Sequence, residues 1–214
     1  MKSAETVYVV DDDPGVLKAL ARLLESAGHT VVLFASPQAF LEGHDASRPG
    51  CLILDVAMPG INGLELQQRL AKDGSCRAIV FITGAGDIPK SVQAMKAGAV
   101  DFLTKPCNDV QLLEAVDIAL GKNREARRAN DDLKQMQRRL TLLTAREREV
   151  FEHVISGQIN KAIATDLGTV EKTVKVHRAR VMHKMGAASL ADLVRMAEKM
   201  GISPGQPSPI TDSR

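Results

Sequence analysis

Five short apolar runs punctuate the first half of the chain: Val7–Val10, Val31–Phe34, Leu52–Leu54, Ile79–Ile82 and Val100–Leu103. Between them the apolar positions change period. Val16, Leu20, Leu23 and Leu24 form one helical stripe; Leu64, Leu66 and Leu70, then Val92, Met95 and Ala99, then Leu112, Leu113, Val116 and Leu120 form others. Continuous runs of β-branched and aliphatic residues mark strands covered on both faces, and the helical segments between them serve as crossovers. The pattern predicts an α/β domain over residues 1–120, built on a doubly wound, five-stranded parallel sheet. Ligands of such sheets bind beyond the carboxyl ends of the strands.

From residue 109 to 140 the chain holds no proline and a single glycine, Gly121, which predicts a long helix with a weak point at that glycine. Leu112, Ala119, Ala126, Leu133 and Leu140 recur every seven residues, but Val116, Asn123, Asn130 and Gln137 at the companion positions are mostly polar. That is a poor coiled-coil seam, so residues 121–140 read as a solvated helical linker. A second, all-α domain follows over residues 141–202, and the terminal 203–214, rich in proline, glycine and serine, reads as a disordered tail.

Composition adds a division of labour. Lys and Arg number 10 against 15 Asp and Glu in residues 1–120, 7 against 3 in residues 121–140, and 11 against 8 in residues 141–214. The acidic front and basic back suggest two jobs, with nucleic acid a candidate for the second. No apolar run approaches the roughly 18 residues that span a bilayer, so no membrane role is expected and the cytoplasm is the expected compartment. Cys51, Cys76 and Cys107 lack CxxC spacing, which points to isolated thiols rather than a disulfide or zinc site.

Candidate chemistry collects where the strands end. Asp11 and Asp12 follow the first run, Asp55 the third, Thr83 the fourth and Lys105 the fifth. A parallel sheet brings these scattered residues to one rim. Clustered carboxylates hold a divalent cation, and a cation beside an aspartate lets it attack a phosphoryl donor. The same acidic turn also suits a helix start, with Asp12 or Asp13 as cap and Pro14 in the first turn.

Over Thr6–Leu120 these positions resemble the receiver domain of two-component response regulators, a flavodoxin-like fold. The resemblance implies that Asp55 is the phospho-acceptor for a sensor histidine kinase. Mg²⁺ (or Mn²⁺) would be held by Asp12, Asp55 and the backbone carbonyl of Ala57, with Asp11 holding a metal-bound water. Lys105 and Thr83 would take phosphoryl oxygens. Pro106 resembles the family's cis-proline, and Asp13 is expected to be a solvated neighbour. Phe102 would follow Thr83 inward, altering a face that includes Val92, Met95 and Lys96 and supporting a homodimer on phosphorylation. Ala57, Ala85 and Cys107 depart from the family's usual residues, which leaves the lifetime of an aspartyl phosphate open.

In the second domain Thr144 and Glu147 have capping-box spacing, the first helix is expected to end near Gly157, and a short helix, NKAIATD, is followed by a turn at Gly168. A helix over Glu171–Met185 and a last one over Leu190–Lys199 complete a helix-turn-helix plan. Lys172, Lys175, His177 and Arg178 interleave with Thr173, Val176 and Ala179, a mixture suited to phosphates and base edges. The stretch from Leu140 to Ala197 resembles the LuxR-type DNA-binding domain, and its pairing with a receiver resembles the NarL/FixJ class, with FixJ-like phrases. That resemblance implies Lys175, Val176 and Ala179 facing bases, Thr173, Arg178, Asn160 and Lys161 on the backbone, and Leu190–Met196 pairing protomers. Thr169 and Val170 precede the recognition helix without the usual serine, which predicts a weaker cap.

The reading is a non-enzymatic transcriptional regulator, an activator by analogy, whose partners are a kinase, duplex DNA and a second copy; RNA polymerase is a further candidate. A Mg-dependent phosphotransferase or phosphatase of haloacid-dehalogenase type is the alternative, since Asp11 and Asp13 fit its DxD spacing. An RNA-binding or protein-docking output is the other.

Overall fold

The computed structural model describes residues 5–84 and 88–203, with the side chains of 88–90 outside that description. Ala85 and residues 204–214 therefore lie outside the described residues. Two compact units form, Met1–Arg128 and Ala129–Arg214.

In the first unit, strands β1 (Thr6–Val10), β2 (Thr30–Phe34), β3 (Gly50–Asp55), β4 (Ala78–Thr83) and β5 (Asp101–Thr104) lie parallel in the order β2-β1-β3-β4-β5. Helices α1 (Pro14–Ser26), α2 (Pro37–Gly43), α3 (Gly63–Lys72), α4 (Ile88–Lys96) and α5 (Asp109–Thr141) alternate with them. Side chains alternate across the sheet as the strand period of two requires. Val7, Val9, Cys51, Ile53, Val80 and Ile82 pack with Leu17, Leu20 and Leu24 of α1 and Leu112, Val116 and Ala119 of α5. Tyr8, Val10, Leu52, Leu54, Ile79 and Phe81 pack on the other face with Phe40 of α2, Leu66 and Leu70 of α3 and Ala94 of α4. Both-face burial holds for the central strands. Edge strand β2 is half-exposed, because no strand among the described residues covers its outer side.

The register sets the functional edge. Val10 pairs with Leu54, Asp55 with Ile82 and Thr83 with Thr104, so the strands end together. Gly63 opens α3 close against β3, where any side chain would run into the Asp55 carbonyl oxygen.

Val92 and Met95, placed from sequence on the responsive face, point outward: they are 47% and 45% exposed, while Ala94 faces the sheet. The close approach explains the choice, since buried Gln67 of α3 donates to the carbonyl oxygens of Ala94 and Ala97 at 3.2 Å each and holds α4 by its small residues. Helix α5 also runs unbroken through Gly121. Asn123, read from sequence as a polar linker position, is buried. It accepts from Gly50 N at 3.0 Å and donates to Cys76 O at 2.7 Å, tying the helix to the amino ends of β3 and β4.

The second unit contains α6 (Ala145–Ile155), α7 (Asn160–Asp166), α8 (Glu171–Met185) and α9 (Leu190–Lys199). Val150, Phe151, Val154, Ile163, Val174, Val181, Met185 and Leu193 form its core, with Met136 and Leu140 from the end of α5 packed against it. The Thr144–Glu147 capping box is present, and Ser156 and Gly157 close α6. Glu147 also receives Lys184 Nζ at 2.6 Å, bracing α6 against α8. Val170 at the start of α8 makes no side-chain cap, as its chemistry dictates.

Candidate phosphate site and nucleic-acid face

Carboxylate oxygens of Asp11, Asp12 and Asp55 lie within 4.8 Å of one another at the carboxyl edge of the sheet. Asp11 is fully buried at the end of β1 and Asp55 nearly so at the end of β3, while Asp12 is exposed. Lys105, just after β5, places Nζ 2.6 Å from Asp11 Oδ2 and 3.3 Å from Asp55 Oδ1. The second distance lacks hydrogen-bond geometry, so Asp55 Oδ1 is a buried oxygen without a hydrogen-bond partner among the described residues. Burial raises the Asp55 carboxyl above its ordinary range against the opposing pull of Lys105, and the Asp11 charge adds to the rise. Burial lowers Lys105, but its hydrogen bond to Asp11 and the charges of Asp55 and Asp11 outweigh it, so the ammonium is held above its usual value. An all-oxygen donor set with one orphaned oxygen suits a hard divalent cation.

Thr83 is buried at the end of β4, and its carbonyl oxygen accepts from Lys105 N at 2.6 Å. The Lys105–Pro106 peptide is cis. Phe102 is half-buried, with its ring 6.2 Å from that of Phe81. Ala57 is exposed on the loop after β3. Cys107 is half-buried against the α1–α5 side of the core, and burial raises its thiol. Asp13 takes the capping role instead of joining the cluster: its Oδ1 accepts from Gly15 N at 2.7 Å and Val16 N at 3.3 Å. That engagement removes the second acid of the DxD alternative. On α4, Val92, Met95 and Lys96 all face outward.

The nucleic-acid candidates divide in two. Lys172, Lys175, Val176 and Ala179 are exposed on α8, and Lys161 on α7. Thr173, His177 and Arg178 sit half-buried along the flank. Arg178 Nη1 donates to Asn160 Oδ1 at 3.1 Å, so two residues assigned to the DNA backbone are joined to each other. His177 Nδ1 is buried without a hydrogen-bond partner among the described residues. In the stretch proposed to pair protomers, Leu193 and Met196 are core residues, leaving Leu190, Ala191 and Arg195 outside.

Gln67 and Asn123 were not legible as contributors. The one signal for Asn123 is its place a turn beyond Ala119 and Leu120, on the face of α5 that packs on the sheet.

Comparison with known proteins gives this arrangement a class. Residues 7–117 match the family described as response regulator receiver domain, and residues 141–197 match the bacterial regulatory proteins of the luxR family. A receiver fold with an acidic rim, joined to a helix-turn-helix unit, is a response regulator with a DNA-binding output. The transcriptional regulatory protein FixJ of Azorhizobium caulinodans is 46% identical over 204 residues, 95% of this chain and 97% of that one. Nodulation protein W of Bradyrhizobium diazoefficiens is 45% identical over 92% of this chain and 87% of its own length. Among solved structures, response regulator StyR is similar with a TM-score of 0.79 at 46% identity, over 92% of this chain and 99% of that chain. Full-length FixJ from B. japonicum aligns at 0.56 and 40% identity, over 94% of this chain and 100% of that chain. The chain belongs to the two-component response regulators of the FixJ-like class, transcriptional regulators that join a receiver domain to a LuxR-type domain. No described helix is long and apolar enough to cross a membrane.

Proposed function

We propose that Asp55 is the phospho-acceptor and that its phosphorylation by a sensor histidine kinase controls dimerisation and binding of duplex DNA. The observation that carries this reading is the placement of Lys105 between Asp11 and Asp55, at 2.6 and 3.3 Å, beside three clustered carboxylates. A carboxylate oxygen of Asp55 attacks phosphorus of a phosphohistidine; the P–N bond breaks, and its electron pair leaves with the imidazole, which takes up a proton. Asp11, Asp12, Asp55 and the Ala57 carbonyl would hold Mg²⁺, which when bound offsets carboxylate repulsion and screens the incoming phosphate. Lys105 pairs with a phosphoryl oxygen, and the Thr83 hydroxyl takes another.

Thr83 moving toward phosphate leaves space for Phe102, and the outward residues Val92, Met95 and Lys96 lie on the face that responds. In the second unit, Lys175, Val176 and Ala179 face bases, with Lys161, Lys172, Thr173, His177, Asn160 and Arg178 along the backbone. For Arg178 and Asn160 that role requires sharing or exchanging their mutual hydrogen bond. The domain division of the proposal is receiver to residue 120, linker 121–140 and DNA-binding domain 141–202. Incubation with Mg²⁺ and acetyl phosphate, followed by intact mass and sedimentation, tests the reading. The expected result is a phosphate-mass adduct and dimer in the wild type, both absent from Asp55→Asn; an adduct retained by the variant would overturn it.

A further inference from the structure

The exposed face of α8 extends beyond the residues assigned to DNA. At 3.6 residues per turn, Lys172, Val176, Ala179 and His183 follow one another along a single stripe, with Arg180 at its edge. Opposite them Val174, Val181 and Met185 are buried, which fixes the phase of the helix independently of any assignment. Arg180 and His183 are both exposed. Their neighbours are otherwise engaged: Lys184 is bonded to Glu147 of α6 at 2.6 Å, and Arg139 of α5 donates to the Met185 carbonyl oxygen at 2.8 Å. Lys175 pairs with Glu171 at 3.4 Å.

Length then decides what these two residues can reach. The major groove is about 12 Å wide. His183 lies seven positions beyond Val176 and Arg180 four, about 10 Å and about 6 Å along the axis at 1.5 Å per residue, against a half-width of about 6 Å. If Val176 sits over base edges, His183 and Arg180 stand at the groove wall, where phosphates rather than bases are presented. We propose that Arg180 and His183 form a phosphate clamp at the carboxyl end of α8, a pair of backbone contacts that sets affinity and register without reading sequence. The proposal rests on α8 being the recognition helix.

Phosphate contacts do not require the operator, so the probe is a short mixed-sequence duplex titrated with the full chain in Mg²⁺ and acetyl phosphate, at several salt concentrations. Arg180→Gln is expected to weaken binding several-fold at low salt and to reduce the slope of log K against log salt by about 0.9, the value of one released counterion contact. Arg180→Lys retains the slope, and Arg180→Gln with His183→Gln weakens binding further. A merely structural arginine would leave the slope unchanged. Wild-type affinity and slope in both glutamine variants, with binding weakened by Lys175→Gln, would overturn the clamp and leave the recognition helix standing. If Lys175→Gln is also without effect, or the wild type does not bind duplex at low salt, the recognition-helix reading falls and takes the clamp with it.

Discussion

The two units of this chain assemble their functional surfaces by opposite routes. At the sheet edge, Asp11, Asp55, Thr83 and Lys105 come from four strand ends, and the Lys105–Asp11 hydrogen bond joins residues 94 apart in sequence. On α8, the exposed candidates from Lys172 to Ala179 are neighbours on one helix. The first surface exists only if the sheet keeps its register. The second needs one helix and a core to hide its other side. Disturbing packing should therefore damage the phosphate site from a distance, whereas the helical face should respond mainly to residues within it.

The largest expected effect is total. Asp55→Asn should abolish the phosphate adduct in intact-mass measurement while leaving affinity for mixed-sequence DNA by the unphosphorylated chain unchanged. A loss of both functions would show that the units are not separable in this way.

Next comes Asn123→Ala, which strands the buried Gly50 N–H and removes the amide donor to the Cys76 carbonyl. It should cost the first unit about 2–3 kcal/mol. Tyr8 is the sole tyrosine and the chain has no tryptophan, so tyrosine emission during urea unfolding reports that unit alone. The transition should move to lower urea, with amide exchange in α6–α9 unchanged.

The pH response of the second unit is smaller. The hydrogen bond from Lys184 holds the Glu147 carboxyl below its ordinary value of 4.5, with the Thr144 backbone N–H acting in the same sense. A carboxyl lowered by folding binds more protons when unfolded, so its contribution is present above pH 4.5 and is lost as pH falls through the folded value. Glu147→Gln should flatten that acid limb of stability, measured by amide exchange of α6 and α8 between neutral and acidic pH. The smallest effect is a gain: Val170→Ser supplies the missing cap of α8 and should stabilise the second unit by up to about 1 kcal/mol, read as a rise in its melting temperature.

Much of this architecture was legible because it is local. The boundaries of α8 and α9 follow from periodicity and from turn glycines such as Gly168 and Gly186, and the capping box needs only Thr144 and Glu147. The five strands announce themselves as apolar runs, and each candidate at the rim stands just beyond one. Polar residues that serve packing were not legible. Beyond the phase of Asn123 with Ala119 and Leu120, the chain does not distinguish Gln67 or Asn123 from solvated helix positions, because their value lies in carbonyls and amides brought to them by other elements. Apolar character permits burial without requiring it, so the helical stripe that groups Val92 and Met95 with Ala99 left their exposure open. Asp13 and Asp12 are chemically alike, and only the start of α1 selects Asp13 as cap.

The sequence alone determined the order of elements, the faces that repel water and the set of residues able to hold a cation, receive phosphate or approach DNA, because these depend on side-chain chemistry and short-range spacing. The tertiary structure decided which of those residues meet. Lys105 reaches Asp11 and Asp55, Arg178 turns to Asn160, and α4 presents Val92 and Met95 outward, because the strand register, the close approach at Gly63 and the hydrogen bonds from Gln67 to Ala94 and Ala97 set where these elements lie.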